Sequence, residues 1–260
     1  MRRIAYVFVF CLAAVGVAFG SPVRSALGGR HAQYVFQEET SPNPYVTDGL
    51  IAMWDGENNA GWNSHDDSAV TWIDLSGKGN NAILSQWATW TDNAIVCDGT
   101  HYAALVSPDG IASVLHSEIV YERIQTTYGY LCYWADTKMG SSENPLRCQL
   151  SFKNSALMIS YGRAAIDGAW KDTYFPSVPL IGTLSVNFRY GRLWINGTEY
   201  PSSSGGETWS YTTIGEIGGR AARTENVYKG KILCIRLYSR PLTESEITSN
   251  YIVDQMRFGL

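Results

Sequence analysis

Residues 184–200 constrain the fold most, because they have the pattern of a β-hairpin that runs into a second turn. Apolar and polar residues alternate along the first part: Leu184, Val186, Phe188 and Tyr190 against Ser185, Asn187 and Arg189. This period of two predicts a strand with one face on a core and the other toward water. A turn at Gly191 leads to Leu193-Trp194-Ile195 and then to Asn196-Gly197, a dipeptide suited to the positive φ angles of a tight hairpin turn.

Further short strand candidates follow one another closely along the chain. They are Gly49 to Trp54, Val70 to Asp74, Ala82 to Leu84, Ala94 to Asp98, Ala103 to Val106, Ile119 to Gln125, Gly129 to Trp134, Leu146 to Phe152, Ala156 to Tyr161, Thr212 to Ile217 and Lys231 to Tyr238. Short strands with turn signals between them predict an all-β protein, a sandwich or barrel of antiparallel sheets. The 9 Trp and 16 Tyr agree, because aromatic residues favour strands.

One helix is predicted, at the C-terminus. Thr243 and Glu246 have the spacing of a capping box, and Leu242 with Ile247 has that of a hydrophobic staple. Ile247, Tyr251 and Met256 then give an apolar face that would pack on the sandwich.

The first twenty residues have the features of an export signal. Arg2-Arg3 precedes an apolar run from Ile4 to Val17, and small residues stand before Ser21. The run is too short and wrongly flanked for a membrane span, although a buried first helix is the alternative. We therefore expect a signal peptide at 1–20, a flexible leader at 21–45 and one domain at 46–260. The mature protein would be secreted, periplasmic or on the cell surface, with no membrane span.

Charge and cysteine content narrow the classes of partner and site. Without residues 1–20 the chain has 18 basic and 24 acidic residues, a net charge of −6, and no basic cluster. We therefore expect neither nucleic acid nor an anionic membrane as a partner.

Four cysteines remain after removal of residues 1–20: Cys97, Cys132, Cys148 and Cys234. We expect a disulfide between Cys132 and Cys148, with buried free thiols as the alternative. No two of the four have a Cys-x-x-Cys spacing, so the sequence does not indicate a zinc site.

Several segments resemble the laminin-G-like jelly roll of the concanavalin A-like lectin/glucanase superfamily. They are Asp48 to Trp54, the turn Asp74-Leu75-Ser76-Gly77-Lys78-Gly79-Asn80, Val96-Cys97-Asp98-Gly99, Leu193 to Gly197, and Gly230 to Thr243 with Glu246. The resemblance covers residues 48–260. It implies a jelly roll of two curved antiparallel sheets, in an exported protein, that mostly serves as a binding module.

The resemblance also allows calcium as a cofactor, since some members carry it. Asp98 is then the candidate metal ligand, although Leu233-Cys234 stands where the family often has an acidic pair. Calcium requires six to eight oxygen ligands from several groups. The alternative is that Asp98 and Asp74 cap turns through their own backbone neighbours.

A glucanase active site in this superfamily requires E-x-D-x-E or E-x-D-x-x-E, because alternate strand positions face the same cleft. No Glu of this chain has an Asp two residues on, and Glu244 with Glu246 falls at the helix start. We therefore expect no catalytic activity, with a glycoside hydrolase as the remaining alternative.

Aromatic residues within polar segments are the candidate sugar contacts, because flat rings stack on the C–H faces of sugars. The candidates are Trp62, Trp170 and Tyr174 with Arg163 as a polar partner, and Trp209 after Gly205-Gly206. Each could instead pack on the core or its rim. The expected function is a lectin-like module that binds a glycan or cell-surface polysaccharide. The alternative is a surface adhesion or scaffold domain that binds another surface protein.

Overall fold

The computed structural model describes residues 43–106, 111–124, 129–134, 146–153, 156–163, 170–175, 178–188, 190, 192–200, 212–219 and 227–260. Almost all regular structure in these ranges is β. The strands are β1 Leu50–Asp55, β2 Thr71–Trp72, β3 Ala82–Leu84, β4 Thr89–Thr91, β5 Ala94–Asp98, β6 Ala104–Val106, β7 Ile111–Val114, β8 His116–Arg123, β9 Gly129–Trp134, β10 Leu146–Lys153, β11 Ala156–Arg163, β12 Trp170–Phe175, β13 Ile181–Asn187, β14 Arg192–Ile195, β15 Thr198–Tyr200, β16 Thr212–Ile214, β17 Glu216–Ile217 and β18 Lys229–Tyr238. One helix, α1, spans Glu244–Phe258.

The strands form two large antiparallel sheets and one small pair. The first sheet has the order β15-β14-β13-β8-β18-β5-β4, and β1 also pairs with β18. The second has the order β12-β11-β10-β9-β17-β6-β3-β2, and β7 pairs with β16. The main hydrophobic core includes residues of both sheets, among them Trp54 and Ile235 of the first and Trp72 and Leu157 of the second. The predicted all-β sandwich with a short C-terminal helix is confirmed.

The hairpin at 184–200 folds as its sequence predicts. Leu184 pairs with Ile195 in β13 and β14, and Ile195 pairs with Thr198 across the next turn. The two turn residues, Asn196 and Gly197, have φ angles of 51° and 71°. These are the left-handed values that a two-residue turn of this kind requires.

The polar face of β13 does not face water, and here the sequence-based expectation is wrong. Thr183, Ser185 and Asn187 are at most 3% exposed. The Thr183 hydroxyl donates to Asp254 Oδ2 of α1 at 3.0 Å, and Ser185 Oγ lies 2.8 Å from His116 Nε2. The first sheet is thus covered by the second sheet on one face and by α1 on the other.

Helix α1 begins with the predicted cap. The Thr243 side chain accepts from the backbone N–H of Glu246, and the Glu246 side chain accepts from the N–H of Thr243. Leu242 and Ile247 are both buried, as the predicted staple requires. Met256, however, is 74% exposed, and the residues buried by the helix are Ile247, Asn250 and Asp254. The buried face of the helix is therefore mainly polar.

The reason for this polar face is a buried arginine on the first sheet. Arg236 of β18 donates from Nε to Glu118 at 2.9 Å and from both Nη atoms to Asp254 at 2.8 and 2.7 Å. Asn250 donates to the same Glu118 carboxylate at 2.7 Å. The Arg236 guanidinium also lies 4.0 Å from the centre of the Tyr45 ring. A buried cation needs such partners, since an unpaired one is very costly.

Several elements differ from the sequence-based boundaries. The predicted strand from Thr212 to Ile217 is two strands, β16 and β17, which belong to different sheets. Tyr45 is buried and accepts a hydrogen bond from Arg257, so the folded region includes it. No helix in the described ranges is long and apolar enough to cross a lipid bilayer. Residues 1–42, with the predicted signal peptide and most of the leader, lie outside the described residues.

Candidate functional site

An open depression lies where the loop after β1 meets the turn between β4 and β5. We call it the Trp90 depression. Its lining residues are Glu57, Asp67, Trp90, Thr91, Asp92, Asn93 and Lys231. The lining thus combines one indole with carboxylates, an amide, a hydroxyl and an amine.

The close approach of the loop to the turn depends on Gly56. Its N–H donates to Leu233 O of β18 at 2.8 Å, which continues the pairing of β1. A Cβ atom at this position would collide with the Asn93 carbonyl oxygen and with the backbone of Ala94. Only glycine allows this contact, which places Glu57 beside the turn residues.

The loop at 56–69 is held by its own polar side chains. Asn59 Nδ2 donates to Asp66 O at 2.9 Å, and Asn59 Oδ1 accepts from the Asp66 N–H at 2.8 Å. Asp66 in turn accepts from the Ser68 N–H and hydroxyl, and these bonds lower the pKa of its carboxyl group. The loop that contains Asp67 is therefore held in place by its own hydrogen bonds, without a ligand.

Trp90 is held from several sides. Its Nε1 donates to Ala69 O at 2.8 Å, and its ring makes an edge contact with Trp72 at a centroid distance of 5.2 Å and an interplanar angle of 81°. His65 also meets it edge-on at 6.3 Å. His65 is itself placed by contacts of Nδ1 with Gly56 O at 2.8 Å and of Nε2 with Asp67 Oδ1 at 3.0 Å. The indole is thus a rigid part of the wall.

The depression has acidic character. Glu57 is paired with Arg257 at 2.7 Å, and Lys231 with Glu122 at 3.2 Å. The Asp67 side chain is 79% exposed and Asp92 is also exposed. The lining has the three carboxylates of Glu57, Asp67 and Asp92 against the single amine of Lys231, so its charged groups are mainly acidic.

Trp62 lies in the same loop but on the helix side of the first sheet. It is partly buried and packs on a second hydrophobic cluster, as do Val46, Val253, Phe258 and Leu260. This arrangement corresponds to the rim-packing alternative for that residue. A role of its remaining exposed surface in sugar binding stays a prediction.

Trp170 and Tyr174 lie in a strand, so their assignment to a polar loop is wrong. They belong to β12, the edge strand of the second sheet, and pair with Gly162 and Met158 of β11. Their spacing of four gives them the same parity, so both positions fall on one face of the strand. The strand was not predicted because polar residues dominate its middle: Lys171, Asp172 and Thr173. Arg163 ends β11 at the level of Trp170.

The remaining predicted contact, Trp209, lies outside the described residues, and so do the side chains of Arg163, Trp170 and Tyr174. Trp62 and β12 belong to different layers of the sandwich. Because Trp62 is the one residue of this set whose side chain is described, the convergence of these aromatic residues on one site stays a prediction.

Asp98 is occupied by its own turn. Its carboxylate accepts from the N–H groups of Thr100 and His101 at 2.7 and 2.9 Å and from the Thr100 hydroxyl at 2.6 Å. Burial alone raises the pKa of Asp98, but these hydrogen bonds outweigh it and hold the pKa well below its usual value. Within the described ranges, no three His, Cys, Asp or Glu residues lie together as metal ligands. Calcium at Asp98 stays a prediction.

The cysteines divide into two pairs. Cys97 and Cys234 are buried free thiols, and burial raises the pKa of each well above its usual value. Cys132 and Cys148 lie on the adjacent strands β9 and β10, where Cys132 pairs with Leu150 and Cys148 with Trp134. The strands are neighbours as expected, two register positions apart at the cysteines. The disulfide itself stays a prediction, since these side chains are outside the described set.

The residues that sequence reasoning missed are Trp87 and Trp90. They lie in the segment Trp87-Ala88-Thr89-Trp90-Thr91-Asp92-Asn93. The signal in this segment is a pair of tryptophans three positions apart, among polar residues and followed by an Asp-Asn turn.

Comparisons with known proteins extend the description of the fold. No protein-family model matches the chain, and no curated protein matches it in sequence. Among solved structures, Trypanosoma rangeli sialidase in complex with sialic acid is similar, with a TM-score of 0.52 and 14% identity over 80% of this chain. Domain 4 of AbnA, an extracellular GH43 arabinanase from Geobacillus stearothermophilus, was solved with arabinotriose and has a TM-score of 0.51 and 17% identity over 76% of this chain.

The coverage of these structures differs. This chain spans 33% of the sialidase chain but 96% of the arabinanase domain. At these identities the likeness shows the fold alone, a β-sandwich of the jelly-roll type. The narrower laminin-G-like assignment stays a prediction.

Proposed function

We propose that the domain is a non-catalytic carbohydrate-binding module that holds a glycan in the Trp90 depression. The observation that carries the proposal is the rigid indole of Trp90 beside Asp67, Asp92 and Asn93 in an open groove. A sugar ring offers a C–H face to an aromatic surface and hydroxyl pairs to planar carboxylate or amide groups. The depression supplies both kinds of group, which is the usual composition of a ligand site.

The acidic surface selects among glycans. Asp67 and Asp92 would repel a carboxylate, such as that of sialic acid, but can accept hydrogen bonds from neutral hydroxyls. Of the two ligands named for the similar structures, sialic acid and arabinotriose, the neutral oligosaccharide fits the charge of this surface better. We therefore propose a neutral glycan.

The same geometry favours binding over hydrolysis. A glycosidase needs one carboxyl group shielded from water, so that it stays protonated and can act as a general acid. The Asp67 and Glu57 side chains are 79% and 56% exposed, and Glu57 is also paired with Arg257 at 2.7 Å. Neither carboxyl group has the environment of a general acid.

The other predicted contacts extend this proposal. We keep Trp62, Trp209 and the β12 residues Trp170 and Tyr174, with Arg163, as additional sugar contacts of an exported domain. Binding to another surface protein is the alternative function, and it would require none of the residues of the Trp90 depression.

A glycan array with the purified domain tests the function, followed by calorimetry with the best neutral ligand. Asp67→Ala and Asp92→Ala each remove an exposed lining carboxylate, and we expect about tenfold weaker binding for each. Glu244→Ala is the matched control, because Glu244 is an exposed carboxylate at the start of α1, 69% accessible. Its affinity should match that of the wild type.

Three results would count against the proposal. They are the absence of binding to any glycan, binding that neither Asp variant changes, and release of reducing sugar from the ligand by the purified wild type. The first favours a protein-binding domain, the second a site elsewhere, and the third an enzyme.

A further inference from the structure

Trp87 and His101 form a stacked pair on the surface. Their ring centroids are 4.3 Å apart and their planes are inclined by 18°. Trp87 is 49% exposed, whereas the strand residues Trp54, Trp72 and Trp194 are at most 3% exposed. A large indole that is both half-exposed and fixed against another ring is a preformed flat surface.

Both members of the pair are held by their own segments. The Trp87 N–H donates to Ser85 Oγ at 3.3 Å, and the Ser85 hydroxyl donates to Tyr102 O at 2.6 Å. His101 Nδ1 lies 2.8 Å from Asp98 Oδ2. Since a carboxylate only accepts, Nδ1 carries a proton, and in the neutral form of the imidazole the acceptor lone pair is on Nε2. The pair therefore offers an aromatic surface with a hydrogen-bond acceptor at its edge.

The pair lies on the same β-hairpin as the Trp90 depression, at the opposite end. Thr89 pairs with Val96 and Thr91 with Ala94 in β4 and β5. The depression includes the turn after Thr91, whereas Trp87 precedes β4 and Asp98 ends β5. Trp90 follows Trp87 by three positions, so their Cα atoms are at most about 11 Å apart. Strand β4 is terminal in the order of the first sheet.

We propose that Trp87 and His101 form a second sugar-contact point, and that the ligand is a linear neutral oligosaccharide lying along β4. This inference rests on the proposed function and specifies its ligand class. One end of the glycan occupies the Trp90 depression. A sugar farther along stacks on Trp87 and donates a hydroxyl hydrogen bond to His101 Nε2. The ligand therefore has more than one sugar residue, one at each point.

The test is the dependence of affinity on oligosaccharide length. The probes are ladders of one to six residues from arabinan, xylan and cellulose, measured by calorimetry against the whole domain. For the wild type we expect affinity to rise with length until both points are covered. Trp87→Ala should weaken binding of the longer members about tenfold, as expected for the loss of one aromatic contact, and change monosaccharide binding less than twofold. Trp87→Phe, which keeps a flat ring, should recover most of the loss.

Tyr190→Ala is the matched control, because Tyr190 has nearly the same exposure, 48%, and lies beyond β13 rather than on β4. Its affinities should follow the wild type at every length. The inference is overturned if Trp87→Ala binds all lengths like the wild type while Asp92→Ala loses binding, and the proposed function then stands. If the wild type binds no member of any ladder, both the inference and the neutral-glycan proposal fail.

Discussion

Acidification should destabilise the fold through His116. This histidine of β8 is fully buried, with Nε2 against Ser185 Oγ at 2.8 Å, and Nδ1 has no hydrogen-bond partner among the described residues. Burial, followed by the positive charges of Arg236 and Arg240, lowers its pKa from 6.5 to about 3. The folded protein therefore keeps His116 neutral at pH values where the unfolded chain protonates it.

The size of the effect follows from proton linkage. Between pH 6.5 and about 3 the unfolded state binds one more proton than the folded state at this position. The free energy of unfolding therefore has its full value, as far as His116 is concerned, above pH 6.5. It decreases as the pH falls below 6.5, because the unfolded state then gains a proton at His116. The slope approaches about 1.4 kcal/mol per pH unit, so the loss across the window is about 5 kcal/mol.

Urea unfolding followed by tryptophan fluorescence measures this loss. The wild type, His116→Gln and His116→Phe would be compared at pH 7, 6, 5 and 4. Both variants lack the imidazole, so the stability of the wild type relative to each should fall by about 1.4 kcal/mol per unit below pH 6. The variants differ in packing and will differ from each other at pH 7, but their pH profiles should be parallel. Wild-type and variant profiles that stay parallel down to pH 4 would refute the reasoning.

Three other perturbations have expected outcomes. Arg236→Met leaves Glu118 and Asp254 buried without their cation, so it should cost about 3–5 kcal/mol of unfolding free energy at pH 7 in chemical denaturation, and an unchanged midpoint would contradict the buried pairing. Gly56→Ala should lower the melting temperature and weaken glycan binding together, because its Cβ would collide with the backbone at Asn93; a variant with wild-type melting and affinity would show that the loop is free to move. Treatment with EDTA should shift the melting temperature by less than about 1 °C, since Asp98 is already satisfied by its turn, whereas a larger drop that calcium restores would establish a metal site.

Local features were predictable from the sequence because neighbouring residues decide them. The Asn196-Gly197 turn needs two left-handed residues, and the Thr243–Glu246 cap needs two side chains three positions apart. Both signals lie within a few residues of the structure they specify. They were therefore located to within one residue of their observed positions.

The burial of polar faces was not predictable in this way. The alternation in β13 correctly separates two faces, but it cannot show that a helix from residue 244 onward will cover the polar one. Asp254 looks like a solvated helix residue until it is paired with Arg236, a residue of another element. A polar residue is thus wrongly predicted to be exposed wherever it forms a hydrogen bond or ion pair with a residue distant in the sequence.

The burial of Trp62 and the position of Trp90 were not predictable for a related reason. An aromatic residue in a polar segment was predicted to be exposed, yet Trp62 is partly buried against a hydrophobic cluster to which Leu242 and Ile247, far away in the sequence, contribute. Trp90 was overlooked because its segment was too short to read as a strand. Its ring became part of a depression only through the Gly56 crossing and the edge contact with Trp72.

The position of the proposed site follows from how the first sheet is covered. One of its faces packs on the second sheet, and α1 with Tyr45 covers the part of the other face that contains Arg236. A glycan cannot reach those faces without displacing buried charges that are already paired. The β4 edge lies at the other side of β5 and carries Trp87 and Trp90, one half-exposed and one lining an open groove. Under the proposed function, the edge hairpin is therefore the part of the first sheet where aromatic rings are held by the protein on one side and can contact a glycan on the other.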